Sequence, residues 1–431
     1  MRNALFFLLA FALCATPLAA AQADEPYQLV SVVMLMRHGV RAPGQDQARL
    51  TQFSPQTWPV WPAGPGELTA QGARNMQLLG RYLGQQYEEQ GLLAPACAAQ
   101  PQILVWSDNS DQRTRVSGQA LIDGLLPGCH ASASYARPVG RPDPAFHPVQ
   151  TGVCSLDEQA VRQSVQARLA DPQQTGPVAL RPALLALGRI LHPDQSKSAL
   201  QQWAMQPFQI STGRDGHNLK IASPFGEAAT VSEIFSLEYA QGLPASQVAW
   251  GHIASTDDLA VFMPLHNLKL SAVEQAPYVA ARNGSMLAQH ILDVLHTEEQ
   301  HPGQTDRKLV ILVGHDTNLA NVAGLLGLHW HHARQPDDIA PGTALAFELL
   351  RNRRNGAWLV RSRLFMQTAD QLRNAVPLDA AHPPIRQTLV IPDCQEKDKN
   401  GLCPFDSFAR LLHRRIDRQC LPDAGPPEPC S

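Results

Sequence analysis

The chain has 431 residues, with 35 basic against 38 acidic side chains and a formal net charge of −3, and 44% of its residues are hydrophobic. That balance argues against nucleic acid or an anionic membrane as a partner, so any positive field must be local to a cleft. A chain this long exceeds one core and implies two domains, and no internal repeat or low-complexity tract appears in it.

The first 23 residues read as a secretory leader, with Arg2 at the charged start, an apolar core from Leu5 to Leu13, and Ala21-Gln22-Ala23 as an Ala-x-Ala cleavage site. The core is too short to cross a bilayer, and no other segment approaches the roughly 20 apolar residues that a span needs. A periplasmic or secreted product is therefore expected. Cleavage removes one basic residue, Arg2, and Cys14, which leaves seven cysteines in an exported chain. Disulfides are expected there, although sequence alone does not fix their pairing.

The stretch Leu29–Met36 is short, apolar and rich in β-branched residues, as a buried strand should be. It runs into Arg37-His38-Gly39-Val40-Arg41-Ala42-Pro43, where Gly39 and Pro43 force a tight loop. Thr69 opens a helix that places Ala73, Met76, Leu79, Leu83 and Tyr87 on one face. A second strand, Ile103–Trp106, leads through Ser107-Asp108-Asn109-Ser110-Asp111 into a helix over Gln112–Leu126.

From about residue 155 to 265 helical signals dominate: Asp157–Leu169, Ala179–Leu191, and a capping box at Thr230-Val231-Ser232-Glu233 before Ile234, Leu237 and Tyr239, closed by Gly242. The α/β texture then returns, with a helix about Tyr278–His296, a strand over Lys308–Val313 and a helix over Thr317–Leu326. Two alternating strands follow, Ala344–Leu350 and Trp358–Met366, joined as a hairpin across Asn355-Gly356. The expected fold is α/β: a sheet domain with helices on both faces, built from residues 24–154 and 266–431, and an inserted, mainly α-helical cap over residues 155–265.

Two arginines cannot be buried beside a histidine without an anion to neutralise them, and a phosphate oxyanion suits their planar forks. A histidine held neutral there is a nucleophile for phosphorus. The competing reading is a basic surface turn. The pair His315-Asp316, after the apolar run Leu309–Gly314, is weak alone and would pass for a helix N-cap. The carboxyl ends of neighbouring parallel strands converge on one crevice, however, which lets two distant motifs meet.

With both motifs in place the chain resembles the histidine acid phosphatases. The stretches Trp58-Pro59-Val60-Trp61-Pro62, Asp143-Pro144-Ala145-Phe146-His147-Pro148, Thr151-Gly152-Val153-Cys154 and Gly314–Asn321 look like the bacterial periplasmic phytase/acid phosphatase branch, over nearly the whole mature chain. The resemblance implies phosphomonoester hydrolysis without a cofactor or metal. It makes His38 the nucleophile, puts Arg37 and Arg41 on the phosphate oxygens, and assigns Arg113, before Thr114, as a third phosphate arginine in preference to Arg115. His315 would donate to the phosphate and Asp316 would protonate the leaving alkoxide. The helix beginning near Thr317 would add backbone N–H groups. Glu233 and His266 are implied as cleft residues, with a plain hydrogen-bonded histidine at the cap edge as the equal alternative for His266. The implied disulfides are Cys97–Cys129, Cys154–Cys420 and Cys394–Cys403, with Cys430 odd.

The departures bear on substrate. Where phytate-hydrolysing relatives carry Thr-Lys after the motif proline, this chain has Gly44-Gln45. An arginine expected near Asn283 is missing, with Arg282 as its nearest substitute. Gly39 keeps the phytase-type motif, whereas the sugar-phosphatase branch has Asn there. The expected function is thus a phytase. The alternatives are a broad acid phosphatase or a glucose-1-phosphatase-like enzyme and, more remotely, a phosphate-binding protein without turnover. Export disfavours a phosphoglycerate mutase, and the absence of a carboxylate–histidine cluster in the sequence disfavours a metallophosphatase. The run His329-Trp330-His331-His332 has no acidic or cysteine neighbour and reads as an exposed loop. The expected partner is a small phosphomonoester, phytate or a sugar phosphate, acting on a monomer with no nucleic acid or membrane bound.

Overall fold

A computed structural model describes residues 26–171, 175–212, 216, 219–394 and 401–422, so the expectations for the leader, Cys14 and Cys430 lie outside the described residues. The chain opens with β1 (Tyr27–Arg37), α1 (Gln47–Phe53), α2 (Ala70–Glu89), β2 (Ile103–Ser107), α3 (Gln112–Leu125) and β3 (Ser134–Tyr135). Its middle holds α4 (Glu158–Leu169), α5 (Arg181–Leu191), α6 (Lys197–Ala204), the antiparallel pair β4 (Ile210–Thr212) and β5 (Leu219–Ile221), α7 (Phe225–Ala240) and α8 (Thr256–Leu268). It then continues with α9 (Pro277–Gln300), β6 (Leu309–Gly314), α10 (Asp316–Leu326), β7 (Ala344–Asn352) and β8 (Trp358–Met366). The described chain finishes with α11 (Ala369–Asn374), β9 (Ile385–Leu389), β10 (Cys403–Pro404) and α12 (Phe405–Arg415).

One sheet runs in the order β10-β8-β7-β1-β6-β2-β3, with β9 also paired to β8. Strands β1, β6, β2 and β3 are parallel to one another, β7 runs against β1, and β8 runs against β7 and so in the direction of β1. Strand β1 is buried on both faces, as its unbroken apolar run requires. Val33 and Leu35 join the core that includes Leu287, Leu319 and Phe408, from α9, α10 and α12. Val32, Met34 and Met36 join the opposite core, with Met76 and Leu79 of α2 and Leu121 of α3. The expected α/β sheet with helices on both faces is the fold observed. The register pairs Arg37 with Gly314, so the carboxyl ends of β1 and β6 lie side by side, and the Asp108 amide bonds the Val313 carbonyl just past β2.

The helical middle has its own core, in which Leu184 and Leu187 of α5, Phe225, Val231 and Phe235 of α7 and Phe262 and Met263 of α8 meet Trp58. Three details differ from the sequence reading. The boundary drawn at 265/266 falls inside α8. The antiparallel pair β4–β5 interrupts the helices of the middle segment. The capping box proposed at Thr230 does not exist, because α7 begins at Phe225 and the Thr230 hydroxyl donates to the Gly226 carbonyl one turn back. Burial around nearly its whole circumference, rather than a cap, stabilises α7. All three expected disulfides are present.

Glu238, on α7, is 1% exposed, and among the described residues its side chain accepts only the Ala249 amide, at 2.9 Å. Burial pushes its carboxyl up from 4.5 to about 8, partly countered by that hydrogen bond. The folded state therefore holds this proton more tightly than the unfolded chain does. The stability it contributes is full below about pH 4.5 and is lost as pH rises toward about 8. Glu238→Gln should remove this dependence, and at roughly 1.4 kcal/mol per pKa unit the effect reaches several kcal/mol. Unfolding free energies across that range should diverge, with the variant ahead at high pH; parallel curves would show that Glu238 is ionised.

Candidate active site

His38 is the first residue beyond β1. Its amide donates to the Gly314 carbonyl at the end of β6 (2.9 Å), and the Gly342 amide donates to its carbonyl (3.1 Å), so the backbone is held from two sides. The ring is 3% exposed, and its Nδ1 lies 2.8 Å from the Gly39 carbonyl. A carbonyl only accepts, so Nδ1 carries the proton and Nε2 keeps its lone pair. Burial, joined by Arg113, Arg37, His315 and Arg41, holds the imidazole well below its usual pKa. The ring is neutral, as a nucleophile requires. Gly39 is sterically obligatory, because a Cβ there would sit 2.8 Å from the Gly72 carbonyl oxygen and 2.9 Å from Met76 Cγ on α2.

Arg37 is fully buried, with Nη1 on the Ile339 carbonyl (2.5 Å) and near Asp337 (3.3 Å), and Nη2 on Glu233 (2.5 Å) and near Asp316 (3.3 Å). Arg41 donates to the same Glu233 Oε1 at 2.9 Å. Glu233 therefore gathers both forks about one oxygen. Burial would raise its carboxyl, but Arg41, Arg37 and His266 bring it down to about 2. Arg113 pairs with Asp111 at 2.7 Å and is close enough to His38 to depress its pKa. Arg115 instead bonds the Asn109 carbonyl and lies over the Tyr135 ring, so Arg113 is the arginine the fold brings to the site.

His315 caps α10, with its ring centroid 5.6 Å from that of His38. Its Nε2 is already engaged, 2.9 Å from Asp108 Oδ2, so donation to a phosphate needs that bond to yield or the other ring nitrogen to act. Asp316 follows it. Burial would raise the Asp316 carboxyl, but Arg37, Lys269, His266 and His38 together hold it well below the usual carboxylate range. Asp316 thus lies in a strong positive field. The Thr317 amide donates to Asp316 Oδ1 at 2.7 Å and is not a free anion donor.

The remaining expected residues divide. His266 is 1% exposed on α8, with Nδ1 3.3 Å from the Ala229 carbonyl and a buried Nε2 that meets no hydrogen-bond partner among the described residues. A plain structural histidine would have both nitrogens satisfied. Arg282 does not line the cleft. It binds the Ser155 carbonyl, Asp417 and Gln419 at 2.9–3.0 Å, which ties α9 to the turn that carries Cys420. Gln45 is half-buried on the loop just before the N-cap of α1. The His329–His332 run is a loop, but it does have an acidic neighbour, since Asp338 bonds His331 at 2.8 Å.

Four residues of the site were missed. Asp337 holds Arg37, Asp108 holds His315, and His147 holds Asp108. Lys269 begins a turn of π-helix (Lys269–Glu274); burial opposes its charge, but Asp316, Glu274 and Glu233 outweigh that and keep it protonated. The polar run after β2 marked Asp108 as a sheet-end residue. Nothing in the local pattern marked the other three.

A family model described as "Histidine phosphatase superfamily (branch 2)" matches residues 28–364. The chain is 31% identical to the phytase AppA of Escherichia coli, over 92% of this chain and 94% of that one. It is 30% identical to the glucose-1-phosphatase of Salmonella typhimurium, over 93% and 96%. The solved structure of Hafnia alvei phytase with tartrate superposes with a TM-score of 0.85 at 34% identity, covering 93% of this chain and 100% of that one.

Proposed function

The chain belongs to the histidine phosphatase superfamily (branch 2) and hydrolyses phosphomonoesters, and from that premise we propose that its substrate is phytate, myo-inositol hexakisphosphate. The observation that carries this reading is the gathering of Arg37, Arg41 and Arg113 about one neutral imidazole, with Lys269 charged in the field of Asp316 and Glu233, enough cations for more than a single phosphate. Lys269 makes up for one of the two cations that Gln45 and Arg282 fail to supply. The likeness to the phytases of Escherichia coli and Hafnia alvei supports it.

In the proposed reaction the phosphate takes over the forks of Arg37, Arg41 and Arg113. His38 Nε2 forms a bond to phosphorus as the ester P–O bond breaks, and Asp316 gives its proton to the departing oxygen. The field that holds Asp316 ionised comes first from Arg37, so a phosphate dianion that draws this charge lifts the carboxyl and lets it carry a proton. Water then attacks the phosphohistidine, Asp316 takes the proton back, and His38 leaves as neutral imidazole. The three disulfides support a periplasmic or secreted setting, and a monomer suffices because every group in this scheme comes from one chain.

Initial rates on phytate, glucose 1-phosphate and 4-nitrophenyl phosphate, measured side by side, test the assignment. Phytate should have the highest kcat/KM. If glucose 1-phosphate does instead, the sugar-phosphatase reading, to which the Salmonella typhimurium relative points, replaces it. Activity should also survive a strong chelator and be blocked by vanadate or tartrate. Loss to the chelator, restored by a divalent ion, would move the chemistry onto a metal.

A further inference from the structure

Beside the nucleophile, three side chains converge in a way the proposed reaction does not use. Asp108 is fully buried, and its Oδ2 lies 3.0 Å from His147 Nε2 and 2.9 Å from His315 Nε2. The two imidazoles thus aim their ε-nitrogens at one carboxylate oxygen, and the three candidate ligand atoms all lie within 4.8 Å of one another. Hydrogen bonds from both histidines pull the Asp108 carboxyl far below its usual range, against the effect of burial, so it is an anion at any working pH.

We propose that Asp108, His147 and His315 form a binding site for a divalent cation of the zinc class, and that a cation bound there takes His315 out of phosphate binding. Two imidazoles and one carboxylate are ligands that zinc favours over calcium or magnesium. With arms of about 2.0–2.2 Å, a tetrahedral site wants ligand pairs about 3.3 Å apart, a few tenths of an ångström beyond the two histidine–carboxylate separations observed here. The metal replaces the two protons that now bridge to Asp108, which move to Nδ1 or to solvent. A fourth ligand is at hand in the Ser110 hydroxyl, 3.4 Å from His147 Nε2, or in Asp111, 3.8 Å from His315 Nε2. His147 keeps part of its side chain open to solvent and gives the entry path.

A second cluster of the same type, Glu233, His266 and Asp316, lies on the other side of the site. It is a poor rival. Arg37 and Arg41 already occupy Glu233 at 2.5 and 2.9 Å, and Arg37 stands 3.3 Å from Asp316, so a dication would meet two guanidinium groups. Arg113, the arginine whose charge acts on His315, is itself paired with Asp111.

The test is a calorimetric titration of the full, chelator-treated enzyme with zinc chloride in phosphate-free buffer near neutral pH. One zinc per chain should bind. The affinity should fall by on the order of a hundredfold in His147→Asn and in Asp108→Asn, and should stay the same in His266→Asn. Zinc should slow wild-type hydrolysis of 4-nitrophenyl phosphate, whereas whatever rate His147→Asn retains should be unchanged by zinc. Absence of binding, binding retained in both His147→Asn and Asp108→Asn, binding lost in His266→Asn, or binding without inhibition would each overturn the proposal. The titration contains no ester, so its failure would leave the phytate assignment untouched, and the reverse also holds.

Discussion

His38→Ala is expected to lower turnover by at least on the order of 10⁴-fold on every phosphomonoester while the protein remains folded. The reaction needs a covalent acceptor on phosphorus, and three surrounding arginines cannot supply one. Among the described residues the ring's one hydrogen bond runs to the adjacent Gly39 carbonyl, so its loss leaves β1 and its pairing with β6 in place. Kinetics of the purified variant, with its far-ultraviolet spectrum and unfolding midpoint, check this. A folded variant that kept a tenth of its activity would mean that water attacks phosphorus directly.

The second large effect concerns the proton. Asp316→Asn is expected to slow hydrolysis of alkyl phosphates by on the order of a hundredfold or more, because an alkoxide must then leave unassisted. The loss should be smaller with 4-nitrophenyl phosphate, whose leaving group is a stable anion without a proton. Burst and steady-state rates on the two ester types separate the cases. Equal losses would mean that Asp316 only orients Arg37, which it approaches to 3.3 Å.

Much of this site is legible in the sequence. The motif around His38 and the pair at His315 each follow an apolar strand, and both strands lie where their patterns predict. The β1–β6 register joins the two motifs, and parallel strand ends leave little freedom in how that happens. What escaped were the residues whose roles depend on tertiary neighbours. His147 is one imidazole in a Pro-rich loop until the fold sets it against Asp108. Arg282 carries the charge the cleft lacks, but Asp417 and Gln419 capture it from a turn more than a hundred residues away. Thr230 carries a capping signature, yet burial starts α7 five residues earlier. Local chemistry predicted the catalytic pair; packing decided which second residues could reach it.

The central claim is that His38 Nε2 becomes covalently phosphorylated. Wild-type enzyme quenched in alkali within the first turnover of a ³²P-labelled ester, then digested and mapped, should carry acid-labile, alkali-stable label on the peptide containing His38. Label on a serine or aspartate peptide, or no label while product accumulates in a burst, would contradict it.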